Sequence, residues 1–403
     1  MPVGKLSKND IWFGIVSLLN DISSEMIFPV LPLFMATVLA FNKSTIGIIE
    51  GLGAASALIL QAFSGYISDR RQSRKPIAVI GYALSVLTKP FFAFSQTVLQ
   101  VIGLRMIDRG GKGIRTAPRD ALISETQNKS ARGYSFGFNR MMDTSGAIIG
   151  TLIAFLYLAK FPGAYRTIFW ISFFPGLLAV AALIIGIKDV KRPPSAPPPR
   201  KFIWTKVSKH AKFFFLVSTV FALANASYAF FLLRALDVGI ADKFIPLLFL
   251  VYSVFAAIFF TPIGRWTDKA GRAKALLAGY LLFAAVAYFF TRASATEMWL
   301  LFALYGIAIA LNDGVSRALV ADLTHPEVRG TAYGIYFMLQ GVAAFAASFL
   351  FGALWDKVSR DTPFIVASLL SLLAAILFLI FMVRHKGHGH FGEKVSSEYH
   401  PSQ

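Results

Sequence analysis

Residues Leu104 to Ser124 read LRMIDRGGKGIRTAPRDALIS and follow directly on the apolar run Val98 to Gly103. At the α-helical turn of about 100° per residue, Arg105, Asp108, Arg109, Lys112, Arg115, Arg119 and Asp120 share one face roughly 140° wide. The opposite face is small and apolar: Ile107, Gly110, Gly111, Ile114, Ala117 and Pro118. In a soluble protein this would be an ordinary amphipathic surface helix. The rest of the chain excludes that setting.

Of 403 residues, 56% are hydrophobic, 39 are Phe and only 15% are charged, against about 25% charged in a soluble domain. Apolar stretches long enough to cross a bilayer recur along the whole length, which indicates an integral, multi-pass membrane protein. The opening MPVGKLSKND is short and polar and leads into a hydrophobic segment without a small-residue cleavage site, so no signal peptide is expected. Absence of cysteine excludes disulfides and thiolate metal sites. The net charge of +19 does not imply a nucleic-acid partner, because no basic, aromatic-interleaved soluble domain is present to bind one.

Twelve membrane helices are predicted, over 10–40, 44–68, 76–96, 97–125, 133–160, 166–188, 212–235, 243–266, 273–292, 296–322, 330–356 and 362–383. With the N-terminus inside, 24 Lys/Arg fall in inner loops and termini and 7 in outer ones. The positive-inside rule therefore places both termini in the cytoplasm. Lys188 to Lys212, with its RPPSAPPPR core, reads as an extended linker. The expected organisation is a six-helix bundle over 1–188, a Pro/basic linker over 189–211, a second six-helix bundle over 212–384 and a histidine-containing tail over 385–403. The halves repeat: Gly65-Tyr-Ile-Ser-Asp69-Arg70 returns as Gly264-Arg-Trp-Thr-Asp268-Lys269, and Ala121-Leu-Ile-Ser-Glu125 as Ala318-Leu-Val-Ala-Asp322. Two unrelated loops matching at nearly one offset mark an internal duplication.

At these residues the sequence resembles the major facilitator superfamily of secondary transporters, whose loop between the second and third helices reads Gly-x-x-x-Asp-Arg/Lys-x-Gly-Arg-Arg/Lys. The second half matches at Gly264, Asp268, Lys269, Gly271 and Arg272. In the first half Gly65, Asp69 and Arg70 fit, whereas Arg71-Gln72-Ser73-Arg74-Lys75 is one residue longer and has Ser73 for the glycine. The resemblance implies an all-α membrane fold of two pseudo-symmetric six-helix bundles. It also implies a cytoplasmic gate at Gly65, Asp69, Arg70, Gly264, Asp268, Lys269 and Arg272, the Asp facing a helix N-terminus. The string from Asp108 to Ile123, with Phe136-Gly137-Phe138 and Arg140, is similar to a bacterial subgroup in which some relatives with histidine-rich tails are associated with nickel or other metal resistance. The fifth helix of many exporters carries a Gly-Pro signature. Gly146 and Gly150 are present in the fifth helix here, but Thr151 stands where the proline would follow, and close helix packing is the plainer reading of the pair.

Counting 1.5 Å per residue from Thr97, Arg105 lies about 12 Å deep, Arg109 about 18 Å and Lys112 about 22 Å, in a core about 30 Å thick. A charge facing lipid there costs at least about 2.5–3.5 kcal/mol, so the stripe must line an internal cavity or pair with other charges. Asp21 and Glu25 in the first helix, with Arg140 and Asp143 in the fifth, are available partners. The expected substrate and coupling residues are Asp21, Glu25, Arg105, Asp108, Arg109, Lys112, Arg140 and Asp143. Salt bridging is the scaffold reading, Asp108 with Lys112 and Asp21 or Asp143 with Arg105 or Arg109. Unpaired Arg105 and Arg109 gripping an anionic group is the functional one. Buried carboxylates that change environment suit a proton site. Glu50 is expected to stand alone at a wetted cavity mouth.

His385, His388 and His390 in the glycine-containing tail have donor chemistry for Ni²⁺ or Zn²⁺; a solvated basic tail is the plainer reading. An enzyme is not expected, since every histidine lies in the linker, a loop or the tail. A channel or a non-transporting receptor or scaffold fits poorly with duplicated halves around buried charge. The expectation is a monomeric, cofactor-free, proton-linked secondary carrier of the inner (plasma) membrane, exporting a small organic or amphipathic solute with an anionic group. Divalent metal efflux is the alternative.

Overall fold

The structure, a computed structural model, describes residues 7–70, 73–125, 132–189, 207–324 and 329–385. The first half comprises α1 (Lys8–Ile27), α2 (Val30–Leu33) with a π-helical turn (Phe34–Val38), α3 (Lys43–Arg70), α4 (Lys75–Phe94), α5 (Val98–Glu125), α6 (Arg132–Lys160) and α7 (Tyr165–Gly186). The second comprises α8 (Lys209–Ala224), α9 (Tyr228–Asp237), α10 (Ile245–Ala270), α11 (Arg272–Phe289), α12 (Ala295–Asp322), α13 (Arg329–Lys357) and α14 (Thr362–His385). No strand occurs among the described residues. Counting α1–α2 and α8–α9 as single crossings, eleven helices among the described residues are long and apolar enough to span a bilayer. The twelfth, α5, fails that measure only because it carries the charged stripe. Large apolar side chains point outward all round, Leu99 at 78% and Ile185 at 79% exposed, as a lipid-facing surface requires.

Two of the expected continuous helices are broken. The span expected over 10–40 interrupts at Phe28–Pro29, where Pro29 has no N–H for the helical ladder. The span expected over 212–235 interrupts at Asn225–Ser227; Asn225 ends α8, and the Ser227 hydroxyl accepts the Ala229 N–H to start α9.

Packing partners within each half correspond one to one. In the first, α1 packs on α6 and α7, α3 on α5, and α4 on α5 and α7; in the second, α8 packs on α13 and α14, α10 on α12, and α11 on α12 and α14. The halves meet through α3–α13, α6–α10 and α2–α9, a set that the same twofold exchange maps onto itself. Glycines permit the α3–α13 seam: a Cβ on Gly51 would lie 3.0 Å from Phe345 Cα, and Gly47 and Gly352 face the carbonyls of Ser348 and Lys43. Gly146 and Gly150 serve α1–α6 in the same way, against Leu18, Asp21 and Ile22.

The two ends of the molecule differ. At one, termed the linker end, Asn9 and the Lys188 backbone exchange hydrogen bonds of 3.0 and 3.1 Å, joining the start of α1 to the end of α7. At the other, the halves are tied. Asp356 of α13 caps α3, accepting from the Lys43 and Ser44 N–H groups at 3.1 and 2.7 Å, and the Tyr165 hydroxyl donates to Asp242 at 2.7 Å.

Candidate functional site

Between the bundles lies a cavity of about 660 Å³, within the range of small-molecule sites. It runs from Glu50 and Ser227 to Arg119, Asp120 and Arg317 near the linker end, where Arg317 and Asp313 are half exposed. Beside it, inside the first bundle, a chamber of about 40 Å³ is lined by Asp21, Glu25, Lys89, Arg105, Asp108, Arg109, Lys112 and Arg115. That is room for one or two waters.

α5 supplies the cationic wall because its small face, Gly110, Gly111 and Gly113, packs tightly on Leu60 of α3, Gly81 and Ser85 of α4, and Ala57 and Gln61 of α3. The charged face is thereby turned inward. Arg105 is 1% exposed and donates to Glu50 Oε2 at 2.8 Å; Asp108 Oδ2 lies 3.6 Å from its other terminal nitrogen. Arg109 lies 3.8 Å over the Phe28 ring and 4.0 Å from Asp108. Arg115 donates to Asn20 at 2.7 Å and lies over Tyr82. Buried Lys89 donates to Ser23.

All eight sequence-derived cavity residues lie on these linings: Asp21, Arg109 and Lys112 on both, Glu25, Arg105 and Asp108 on the chamber, and Arg140 and Asp143 on the main cavity. Their pairing differs from expectation. Arg105 is not unpaired; it is held by Glu50, which is 4% exposed and far from a wetted mouth. The cause is that α3 packs face to face on α5. Asp108 pairs with Arg105 and Arg109, not with Lys112. Lys112 is exposed to the cavity, with no ion pair to a described residue, and Glu25 likewise has none; Asp21 accepts from Asn20 at 2.8 Å. Asp143 has one buried oxygen without a hydrogen-bond partner.

Glu50 also accepts from Ser227 at 3.1 Å, and Tyr228 donates to the Phe28 carbonyl at 3.3 Å. The two helix breaks thus meet at the Arg105–Glu50 pair, joining the bundles at the cavity's closed end. Asn225, Asn312, Asp313 and Arg317, the polar residues that the sequence offers in the second half, line the main cavity, whereas sequence reasoning missed the Arg105–Glu50 node and the second bundle's tyrosines, Tyr228, Tyr252, Tyr280, Tyr305 and Tyr336. The duplication held the signal: α5 and α12 match at an offset of 197, so Tyr305 occupies the place of Asp108 and Asn312 that of Arg115.

Of the gate residues, Gly65 packs on Ala117, whereas a Cβ on Gly264 would meet no described residue within 4 Å; the Gly264 carbonyl accepts from the Thr267 hydroxyl at 2.7 Å. Arg272 pairs with Asp322, tying α11 to α12 inside the second bundle. The side chains of Asp69, Arg70, Asp268 and Lys269 lie outside the described residues, as do those of His385, His388 and His390. Among described residues no cluster of three His, Asp or Glu could hold a metal ion.

The family model described as Major Facilitator Superfamily matches residues 13–238 and again 213–398, once per half. An uncharacterised MFS-type transporter of Methanocaldococcus jannaschii is 38% identical over 93% of this chain and 95% of its own. The multidrug resistance protein MdtH of Proteus mirabilis is 23% identical over 77% of each chain. Among solved structures the nucleoside transporter NupG superposes with a TM-score of 0.76 at 16% identity, over 93% of this chain and 98% of that one. The duplicated bundles, the cavity between them and these matches agree: the chain belongs to the Major Facilitator Superfamily and is a multi-pass membrane transporter of small molecules, not an enzyme.

Proposed function

We propose that this transporter is a proton-linked carrier that exports a small organic or amphipathic solute bearing an anionic group across the inner (plasma) membrane, by alternating access of one bundle against the other. The charge of the lining carries the reading. Across both spaces, Lys89, Arg105, Arg109, Lys112, Arg115, Arg119, Arg140 and Arg317 face Asp21, Glu25, Glu50, Asp108, Asp120, Asp143 and Asp313. One cation is in excess, and an uncompensated charge away from bulk water is expensive. A monoanion restores neutrality, and the accessible donors for it are Arg109 and Lys112. Arg105, held by Glu50, serves to position that wall.

With both termini cytoplasmic, as the charge bias of the loops requires, the cavity faces the cytoplasm. That is the state in which an exporter loads, and export is also the direction that the MdtH likeness favours. Glu25 and Asp21 are the coupling carboxylates. Glu25 shares the chamber with Asp21, Lys112, Arg109 and Lys89, so an anion arriving at Lys112 and Arg109 competes with the two carboxylates for the same cations, and solute binding is linked to their protonation state. The residues 1–188 and 212–384 form the two moving units, 189–211 their tether, and the loop residues around Asp69 and Asp268 the cytoplasmic gate. Metal export, resting on the histidine tail, finds no support at the cavity, whose cations repel a divalent ion.

The test is flux of organic monoanions into proteoliposomes under an imposed pH gradient. Arg109→Gln is expected to reduce transport about ten-fold or more; Glu25→Gln is expected to keep solute exchange but lose the response to the gradient. Normal anion flux through Arg109→Gln refutes the anionic substrate, and gradient-driven flux through Glu25→Gln refutes Glu25 as the coupling site.

A further inference from the structure

We infer that the solute's body is a planar aromatic ring, so that the carrier selects aromatic monoanions, the ring on the second bundle's tyrosines and the charge on α5. This rests on the anionic reading above and adds the substrate's class to it. The two walls have opposite chemistry at equivalent positions. At the offset of 197, Arg105, Asp108, Arg109, Lys112 and Arg115 of α5 correspond to Phe302, Tyr305, Gly306, Ile309 and Asn312 of α12. Of the second set, Tyr305, Ile309 and Asn312 line the main cavity, so charge on one side is answered by a tyrosine and neutral groups on the other.

Residue choice separates a binding wall from mere packing. The chain has 39 Phe and 13 Tyr, yet among the described residues five tyrosines and one phenylalanine, Phe221, line the main cavity. Tyrosine presents a ring for stacking and a hydroxyl that tolerates water between solutes. These rings are braced in contact. Tyr228 lies 5.1 Å from Phe249, Tyr252 4.8 Å from Tyr305, and Tyr305 4.5 Å from Phe231. Tyr280, Tyr305 and Tyr336 are buried, whereas Tyr228 and Tyr252 are half-buried and present surface to the cavity.

Spacing links the walls. The Arg109 guanidinium sits 3.8 Å over Phe28, and Phe28 meets Tyr228 edge-on at 5.9 Å. Cation and tyrosine are thus neighbours of one and the same ring, which brings the charged wall next to the aromatic one. A volume of about 660 Å³ accommodates a fused bicyclic acid with accompanying water.

The experiment measures binding of three probes to the purified full chain by calorimetry: 2-naphthoate, its saturated analogue decahydro-2-naphthoate, and neutral 2-naphthamide. Naphthoate is expected to bind about two- to ten-fold tighter than the saturated acid, the range of an aromatic stacking contribution. Tyr252→Leu is expected to abolish that preference while both acids still bind, and Tyr252→Phe to retain it. Naphthoate is expected to bind tighter than the amide, a difference that Arg109→Gln removes. If the wild-type chain binds both acids alike, and both more tightly than the amide, the aromatic inference is overturned and the anionic reading stands. Equal binding of amide and acid in wild type overturns the anionic reading, and failure of both acids to bind overturns both. The wild-type comparison needs no variant to fold.

Discussion

Replacing Glu50 by glutamine deletes one charge and almost no volume. Arg105 stays cationic, because a guanidinium keeps its proton in any protein setting, and it stays 1% exposed. Removing one partner of a buried ion pair costs about 3–5 kcal/mol. Two features place this case at the lower end: Asp108 lies 3.6 Å from the guanidinium, and the glutamine carbonyl still accepts one hydrogen bond. The expected loss is therefore about 3 kcal/mol, or roughly a hundred-fold in the folding equilibrium. Reversible urea unfolding in detergent micelles, followed through the 6 tryptophans, measures it as a lower midpoint at unchanged slope. Arg105→Met in the same background should recover much of the loss, giving a coupling energy of about 2–3 kcal/mol in the cycle. A Glu50→Gln chain within about 0.5 kcal/mol of the parent, or strictly additive variants, would refute the buried pair as the node between α3 and α5.

Gly150→Leu places a side chain where a Cβ alone is 2.9 Å from Ile22 Cα; α1 and α6 must separate, and a loss of about 1–3 kcal/mol is expected in the same unfolding assay. Asp356→Ala removes the cap that holds α3 to α13, worth about 1 kcal/mol, so the population open at the capped end should rise about five-fold. The chain has no native cysteine, and faster maleimide labelling of Ala54→Cys from that side reads the change; an unaltered rate excludes Asp356 as a latch. Tyr165→Phe deletes the second tie, to Asp242, and should add to Asp356→Ala in the same labelling.

Much of this is legible in the chain alone. The membrane setting follows from composition, and the inward turn of the α5 stripe follows from what hydrocarbon does to bare ions. The duplication reads directly off Ala121–Glu125 and Ala318–Asp322, and its offset is the offset of α5 and α12. Which charge meets which is not legible. Glu50 looks solitary in the sequence because its partner is 55 residues away on a neighbouring helix. The break at Asn225–Ser227 falls in a largely apolar run with no proline to mark it, whereas Pro29 announces the corresponding break in the first half. Tyr252 and Tyr305 carry no signal of their own because aromatic residues are common anywhere in a membrane helix.

By itself, then, the sequence determined that this is a duplicated membrane protein whose charges must be internal, since hydropathy and helical period are properties of single segments and solvation in lipid depends on composition. Only the tertiary structure decided that Arg105 belongs to Glu50, that Asp356 closes one end, and that a tyrosine wall faces the cations. Those outcomes depend on how each helix is rotated against its neighbours. Close approach at Gly47, Gly51, Gly146 and Gly150 sets that rotation, and no segment carries it alone.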